Sequence, residues 1–202
     1  MFKIEKMSLL TVGSVAFDAI ETPFGKTDKI IGGAGTYIAL AASFHAKNQK
    51  IVAVVGDDFP QEMLTLLEEK GVDLEGLQIK QGEKTFFWSG RYHNDMNSRD
   101  TLVTELNVLE HFDPIIPSSY QGVEYLMLGN LSPQVQRSVI ERLEKRPKLI
   151  AMDTMNFWMD VAREGCSRLY AIDAMSEQRI HNALESGRQP PFGCHINFAA
   201  SY

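Results

Sequence analysis

The chain has 202 residues, a formal net charge of −6 at pH 7 and a pI near 5.4. Hydrophobic residues make up 44% and charged residues 23%, which is ordinary for a soluble globular protein and argues against disorder or a fibrous repeat. The acidic balance and the scattered lysines and arginines argue against a nucleic-acid-binding surface, which needs clustered positive charge.

Neither a membrane partner nor a metal site is predicted. No apolar run reaches the roughly 18 residues typical of a transmembrane helix, and the start, MFKIEKMSLL, lacks a signal-peptide core with a cleavage site. Cys166 and Cys194 have no CxxC spacing and no neighbouring His/Cys cluster, so neither a zinc site nor a disulfide framework is expected. We therefore expect one compact cytoplasmic unit.

The first part of the chain predicts two strand–helix units. A buried strand is predicted at Ser8–Val12, followed by an extended stretch that Pro23 stops. Helical spacing in GTYIALAASFHAKN begins directly after the glycines of IIGGAG. A further strand is predicted at Ile51–Val55 and a helix at about Pro60–Lys70, which Gly71 closes.

The middle of the chain predicts a hairpin and then a return to strand–helix alternation. TFFWSGRY and DTLVTELNV read as two strands joined by the turn HNDMNSR. Strand VEYLMLGNL, helix SPQVQRSVIERLEK and strand KLIAMDTM follow, with Ser132 as the helix N-cap and Pro133 at its first position. Repeated strand–helix units predict a parallel sheet with helices on both faces.

The regular pattern fades from about Arg163. One helix is predicted at Ala174–Glu185, and GRQPPFG has the composition of a loop or a disordered segment.

Polar residues follow several of the predicted strands. Asp18, Asp57, Asp58, Asn130 and the segment DTMN at 153–156 all lie beyond strand ends. In open α/β sheets, ligands bind beyond the carboxyl ends of the strands. Fixed carboxylate and amide acceptors suit a polyhydroxylated ligand, because each sugar hydroxyl must replace a hydrogen bond to water.

The glycine cluster GGAG at 32–35 has two open interpretations. Glycine permits a helix to pack closely on its strand, and it equally permits a small ligand to rest against bare backbone. The segment GGAGTY does not match the GxGxxG dinucleotide fingerprint, and no Gly-Lys-Ser/Thr of a phosphate-binding P-loop is present.

Five segments, in this order and spacing, resemble the PfkB/ribokinase family of ATP-dependent sugar and nucleoside kinases. They are GSVAFDAIETP, GGAGTYIALA, VAVVGDDFPQEMLTLLEEKGVDLEGL, TFFWSGRY and AMDTMNFW. The resemblance covers about residues 8–162. It implies an α/β fold with a ribokinase-like parallel sheet that is flanked by helices and carries a small β lid. In this chain the C-terminal part of that fold is expected to be incomplete. Residues 1–162 would form the ribokinase-like α/β region, with lid insertions at about 14–31 and 77–107. Residues 163–202 would form a divergent tail of uncertain structure.

The resemblance also implies substrate-binding residues. In the family an early aspartate binds the sugar hydroxyls and the GG motif contacts the sugar, which assigns Asp18, Gly32 and Gly33. Asn130 and Asn156 are further candidates at later strand ends.

Two further features concern the choice of substrate and the formation of a homodimer. Tyr37 stands where many members have asparagine, so it is a further candidate substrate-binding residue and the substrate is expected to differ from ribose. The lid often mediates dimers in the family, and it offers this chain the same homodimer contact.

A larger departure concerns the phosphoryl-transfer machinery. The family uses ATP and Mg²⁺, with a C-terminal Gly-Ala-Gly-Asp segment whose amides stabilise phosphate charge and whose aspartate is the base. No such segment follows Asp153, and NALE at 182–185 is interpreted as a chance echo of the family's Asn-x-x-Glu motif. The expectation is a truncated, catalytically incomplete kinase-like chain that binds neither cofactor and has no assigned catalytic residue.

The alternative is a non-catalytic product that binds a sugar or dimerises and lacks the ATP site. A shifted reading frame, a splice product and a natural short paralogue remain open as origins of the divergent tail.

Two smaller signals receive ordinary structural interpretations. Asp57 and Asp58 precede a helix and are expected to cap it rather than to hold a cation or a sugar. Arg91, Tyr92 and His93 are expected to lie in a solvated turn rather than to close over a substrate.

Overall fold

The structure is a computed structural model that describes residues 8–162 and 164–165. The expectations for a helix at 174–185, for NALE and for the two cysteines lie outside these residues. The strands are β1 (Ser8–Val12), β2 (Ala16–Thr22), β3 (Gly25–Lys26), β4 (Ile30–Gly32), β5 (Asn48–Gly56), β6 (Val72–Lys80), β7 (Phe87–Tyr92), β8 (Arg99–Glu105), β9 (Tyr125–Leu128) and β10 (Leu149–Met152). The helices are α1 (Ala34–Ser43), α2 (Gln61–Glu69), α3 (Pro133–Arg142) and α4 (Asn156–Val161).

The main sheet has the strand order β10-β9-β1-β5-β6, and every described pair in it is parallel. Parallel neighbours need crossover connections, which α1, α2 and α3 provide. The predicted α/β class, with a parallel sheet flanked by helices, is confirmed.

Both faces of the main sheet are covered, as the run IVAVV in β5 indicates. Ile51, Ala53 and Val55 are fully buried against residues of α1 and α2. Val52 and Val54 point to the opposite face and share a core with Val139 of α3. Successive strand residues alternate between faces, so a continuous apolar run fits a strand that is buried on both sides.

The helix boundaries agree closely with the sequence signals. Ser132 caps α3 by accepting a hydrogen bond from Val135 N–H at 3.3 Å, and Pro133 is the first helical residue. Gly71 follows α2 with a φ of +81°, the left-handed conformation that glycine adopts readily.

Strand β6 was not predicted. It pairs with β5 along most of its length, with an irregularity between Lys50 and Val52. A Cβ atom at Gly76 would lie 2.5 Å from Ile51 O, so this interior glycine permits the close pairing. Tyr120 Oη accepts a hydrogen bond from Gly76 N–H at 3.2 Å and lies 2.8 Å from Asp73 O, which fixes the strand from outside.

A second sheet forms beyond the carboxyl end of β1. Its order is β3-β2-β7-β8, and β4 pairs with β2 on the same side as β3. Strands β7 and β8 are antiparallel, which confirms the predicted hairpin. This sheet takes residues 16–32 and 87–105, whereas residues 77–80, which the sequence assigned to an insertion, belong to β6 of the main sheet.

Candidate functional site

The carboxyl ends of β1 and β9 meet the first turn of α1. A Cβ atom at Gly129 would lie 3.2 Å from both Val12 O and the Cβ of Ala34. Gly129 N–H donates a hydrogen bond of 2.7 Å to Val12 O. The strand ends, the glycine turn and the helix N-terminus therefore form one continuous surface, as the parallel topology predicts.

Within the glycine turn, the protein's own backbone makes the closest approach. Gly33 has φ +93° and ψ +138°, and a Cβ atom there would lie 2.3 Å from Ser14 O. Gly35 N–H donates to the same carbonyl at 2.8 Å, and a Cβ atom at Gly35 would lie 2.9 Å from Gly13 O. Of the two interpretations of the glycines, close packing on the β1–β2 connection therefore applies to Gly33 and Gly35.

Ser14 was missed by the sequence analysis. Its Oγ accepts a hydrogen bond from Ala34 N–H at 3.1 Å, so it caps α1 from a segment twenty residues earlier in the chain. No local N-cap pattern signals a contact of this range, because the capping side chain comes from another element.

Gly32 differs from the other two glycines because a side chain is its nearest neighbour. A Cβ atom at Gly32 would lie 2.1 Å from Asp18 Oδ2, so the carboxylate rests on the space that glycine leaves open. Asp18 and Gly32 belong to adjacent strands, since Ala16 pairs with Gly32 and Asp18 with Ile30. The residues at positions 18 and 32, fourteen apart in the sequence, are thus in contact.

The Asp18 carboxylate is partly buried and accepts no hydrogen bond from any described residue. Burial raises the pKa of this carboxyl above its ordinary value of 3.8, because the charged form loses water. A ligand hydroxyl that donates to it would restore the missing hydrogen bond.

Gly33 provides a donor beside this acceptor. Its backbone is partly accessible, and its N–H makes no hydrogen bond to another described residue. The pair therefore offers a hydroxyl group both an acceptor and a donor at the start of α1, where the helix dipole also favours negative charge.

Tyr37 lies one turn further along α1. Its N–H donates to Gly33 O at 3.3 Å, and its side-chain Oη donates to Ile31 O at 3.1 Å. The ring therefore extends back from the helix to the end of β4, and 58% of the residue is exposed.

Asn130 and Asn156 lie at the other end of this surface. Asn130 Oδ1 accepts from Trp158 Nε1 at 3.0 Å, and its Nδ2 lies 3.0 Å from the Met155 sulfur. Asn156 is the first residue of α4. Asn130 is therefore held by α4 and the residue before it.

Gln136, which the sequence analysis also missed, ties two strand ends together. Its Nε2 donates to Gly129 O at 2.9 Å and to Asp153 O at 2.8 Å, and the residue is almost fully buried. Burial raises the pKa of the Asp153 carboxyl. A lone glutamine on a predicted helix gives no signal of such a bridge.

Comparison with known proteins finds a kinase that is similar in sequence and several solved kinase structures that are similar in fold. The sequence is 30% identical over 139 residues to a cytidine kinase from Thermococcus kodakarensis, covering 68% of this chain and 49% of that protein. A ribokinase from Cryptococcus neoformans in complex with ADP has a TM-score of 0.59 at 19% identity, over 73% of this chain and 51% of that one. A nucleoside kinase from Methanocaldococcus jannaschii, an archaeal member of the ribokinase family, has a TM-score of 0.57 at 18% identity, over 74% and 53%.

This chain has a ribokinase-like fold. The match and the shared fold confirm the resemblance to the PfkB/ribokinase family. No protein-family model matches the chain. The chain spans about half the length of the curated relative that it matches.

In this ribokinase-like fold, Asp57 and Asp58 do not cap α2, so the predicted capping role is wrong. Pro60 occupies the N-cap position without a side-chain cap. Asp58 Oδ1 instead accepts from Thr85 N–H at 2.8 Å and Thr85 Oγ1 at 2.6 Å, and Asp57 Oδ2 accepts from Gly82 N–H at 2.7 Å. Both aspartates fasten the end of β5 to the loop that leads into the second sheet.

The lid hairpin carries an open groove of about 540 Å³ near its turn. Arg91 is exposed and forms an ion pair with Glu21 at 2.9 Å, and His93 Nε2 lies 3.1 Å from Asp100 Oδ2. The first contact joins β7 to β2, and the second lies within the hairpin. His93 is exposed at the start of the turn, as predicted, whereas Arg91 and Tyr92 belong to strand β7, so their predicted place in the turn is wrong.

The part of the chain that the structure describes has neither a metal-binding cluster nor a membrane-spanning helix. Across residues 8–162 and 164–165, no three or more His, Cys, Asp or Glu side chains are grouped to hold a metal ion. In the same part of the chain, no helix has the length and apolar character needed to span a membrane.

Proposed function

We propose that residues 8–162 form the acceptor-binding part of a sugar or nucleoside kinase of the ribokinase family. The observation that carries the proposal is the Asp18 carboxylate, which is partly buried, unpaired among the described residues, and seated on Gly32. Asp18 accepts hydrogen bonds from ligand hydroxyls, and Gly33 N–H donates one. The cytidine kinase and nucleoside kinase among the similar proteins support an acceptor of this chemical class.

The site favours ligands that carry hydroxyl groups, because a ligand without one leaves the partly buried Asp18 carboxylate without a hydrogen bond. A partly buried carboxylate without a hydrogen bond is unfavourable, and a donor hydroxyl removes that penalty. Tyr37 borders the same turn, and Asn130 and Asn156 remain further candidate contacts on the α4 side.

Binding experiments test this part of the proposal. Calorimetric titration of the 202-residue chain with ribose and with cytidine is expected to show saturable binding of at least one of them. Asp18→Asn removes an acceptor charge and is expected to weaken binding about 10-fold or more, since hydrogen bonds to charged groups contribute roughly 1.5–3 kcal/mol. Asp100→Asn, on the opposite face of the same sheet, is the matched control and should bind as the wild type does. Equal binding by both variants would refute the role of Asp18.

We also propose that the chain does not complete phosphoryl transfer. In the family ATP supplies the γ-phosphoryl group, and the transfer depends on positioning together with stabilisation of phosphate charge. The sequence after Asp153 contains no Gly-Ala-Gly-Asp segment, and the described carboxylates form no cluster suited to Mg²⁺. No described residue is therefore assigned to ATP, Mg²⁺ or the acceptor base.

A coupled assay of ADP formation tests this second part. The 202-residue chain is expected to show no acceptor-dependent turnover of ATP. Turnover above background that disappears in Asp18→Asn would overturn catalytic incompleteness while supporting the acceptor site.

A homodimer through the lid is the second candidate role, and β8 favours it. All seven residues of β8 are exposed, and the strand forms an edge of the second sheet. An exposed edge strand can pair with another strand. A dimer seen by light scattering that becomes a monomer in Val103→Lys would support this role, and a wild-type monomer at high micromolar concentration would contradict it.

A further inference from the structure

The two faces of the main sheet differ over strands β9 and β10. On one face, Leu126 and Ile150 are buried in the core that Val139 of α3 completes. Side chains alternate along a strand, so the other face carries Tyr125, Met127, Leu149 and Ala151. None of these four belongs to a buried core cluster. This second face, which we call the β9–β10 face, is therefore apolar and only partly covered by the described residues.

The β9–β10 face continues onto β1. Leu9 lies beside Tyr125, and Tyr125 beside Leu149, in the parallel register of the three strands. Leu149, on the edge strand, is 39% exposed. A sheet that is apolar on both faces needs a layer on each, because every exposed apolar side chain forgoes the free energy of burial.

The path of the chain explains why this face is open. In the strand order β10-β9-β1-β5-β6, α1 and α2 connect strands in one direction along the sheet, whereas α3 connects β9 to β10 in the opposite direction. Right-handed crossovers that run in opposite directions place their helices on opposite faces of a sheet. Among residues 8–162, no crossover therefore places a helix over β9 and β10 on the α1 side.

The open area has the size of one helix. Strands β9 and β10 have four residues each, which corresponds to about 13 Å along the strands and about 10 Å across the pair. An α-helix with its side chains is about 10–12 Å in diameter, and twelve residues of helix are about 18 Å long. One helix of three turns beside α1 would cover both strands.

We propose that residues 174–185 of this chain form a helix that packs on the β9–β10 face beside α1. These residues lie outside the described part of the chain, and the helix is a prediction from the sequence. In that helix Ile180, Ala183 and Leu184 have the i, i+3, i+4 spacing of one apolar face, and Gln178 lies on the opposite side. The inference concerns the main sheet and does not depend on the proposed acceptor site.

The connecting segment is long enough to reach the face. Gly165 lies at the first turn of α3, where a Cβ atom on it would be 3.2 Å from the Cβ of Pro133. The route from the α3 side around the edge strand β10 to the α1 side is about two helix diameters, or roughly 20 Å. Residues 166–173 can span at most about 26–29 Å. A segment tethered in this way also has an effective concentration in the millimolar range, which favours it over a separate partner.

Alkylation of an introduced thiol measures whether the face is covered. The probe is Leu149→Cys in the 202-residue chain, in which Cys166→Ser and Cys194→Ser remove the native thiols. Ile115→Cys, at a loop position that is 61% exposed, gives the rate of an accessible thiol. With each rate normalised to that of the same protein in urea, Leu149→Cys should react with a maleimide at least about 10-fold more slowly than Ile115→Cys, because local opening must precede the reaction.

Two substitutions that introduce the same charge identify the covering segment. Ile180→Asp places a carboxylate on the apolar side of the helix, so it should raise the alkylation rate of Leu149→Cys by about 10-fold through release of the segment. Gln178→Asp is the matched control on the opposite side and should leave the rate unchanged. Leu184→Ala, a milder change on the apolar side, should raise the rate by an intermediate factor. Circular dichroism of each variant reports that the remaining fold is intact.

The outcomes separate this segment from other occupants of the face. Slow alkylation that both Ile180→Asp and Leu184→Ala relieve, at every protein concentration, supports the proposal. Fast alkylation of Leu149→Cys in the otherwise unchanged chain overturns it, as do equal effects of Ile180→Asp and Gln178→Asp. Protection that disappears on dilution also overturns it and makes a second copy of the chain the occupant. None of these results depends on ligand binding at Asp18, which the titrations test separately.

Discussion

Replacing Gly33 with alanine tests the close contact between the glycine turn and the β1–β2 connection. Gly33 has a φ of +93°, and a Cβ atom there would meet Ser14 O at 2.3 Å. Two independent penalties therefore arise from one methyl group. The first is the backbone conformation, and the second is the collision with a carbonyl that is itself fixed by Gly35 N–H.

The expected loss of stability follows from adding the two penalties. A non-glycine residue in a sparsely populated backbone region costs about 1–3 kcal/mol. Forcing an extra carbon into a packed contact costs about 1–3 kcal/mol more. Gly33→Ala should therefore lower the free energy of unfolding by about 2–6 kcal/mol, a large part of the roughly 5–15 kcal/mol typical of a domain.

Two further glycines separate the contributions. Gly82 has a φ of +76° with nothing within 4 Å of its Cβ position, so Gly82→Ala should incur only the conformational cost, about 1–2 kcal/mol. Gly122 has open space and no positive φ, so Gly122→Ala should change stability by less than about 0.5 kcal/mol.

Urea denaturation followed by circular dichroism measures all three variants under one condition. The order of destabilisation should be Gly33, then Gly82, then Gly122. If Gly33→Ala were no more destabilised than Gly82→Ala, the contact with Ser14 would not be a close packing contact, and only the positive φ of Gly33 would favour glycine there.

Three other predictions concern charged and buried groups. Because burial raises the pKa of Asp18 above 3.8, the folded state holds the proton more tightly than the unfolded chain, and stability falls as the pH rises through the range above 3.8. Asp18→Asn should match the wild type near pH 3.5 and have the higher urea midpoint at pH 7; identical midpoints at pH 7 would contradict this. Burial acts to raise the pKa of Asp58, but hydrogen bonds from Thr85 outweigh it and hold the pKa below its ordinary value, so this contribution is present above pH 3.8 and is lost as the pH falls. Asp58→Ala should cost about 1–3 kcal/mol at pH 7 by leaving Thr85 N–H unpaired, and a smaller amount in acid; a constant difference across pH would argue against a role of the charge. Tyr120→Phe leaves Gly76 N–H without its partner in a buried strand and should cost about 1–3 kcal/mol in the same assay, whereas an unchanged midpoint would show that the strand does not depend on this hydrogen bond.

The local signals in the sequence were sufficient for most of the secondary structure. Ser132 and Pro133 fixed the start of α3, and Gly71 fixed the end of α2, because capping depends on a few adjacent residues. Strand β6 was not predicted because its alternation of apolar and polar residues is interrupted at Gly76. Its pairing with β5 decides its conformation instead.

The candidate site residues were assigned from the family resemblance, and their binding of a substrate stays a prediction. The structure places the Asp18 carboxylate against Gly32. The aspartates after β5 were misjudged because a side chain near a helix start can bind any neighbouring N–H. The loop at Thr85, distant in sequence, supplies the N–H group that Asp58 binds.

The sequence by itself determined the alternation of strands and helices, the buried character of the strands and the family resemblance, because these depend on periodicity and on short motifs. Only the tertiary structure decided which glycine meets backbone and which meets a carboxylate, and that the Trp88 indole lies on Gly90. The contacts with Ser14 and Asp18 join different segments of the chain, and their distances depend on register and twist rather than on the spacing of residues along the chain.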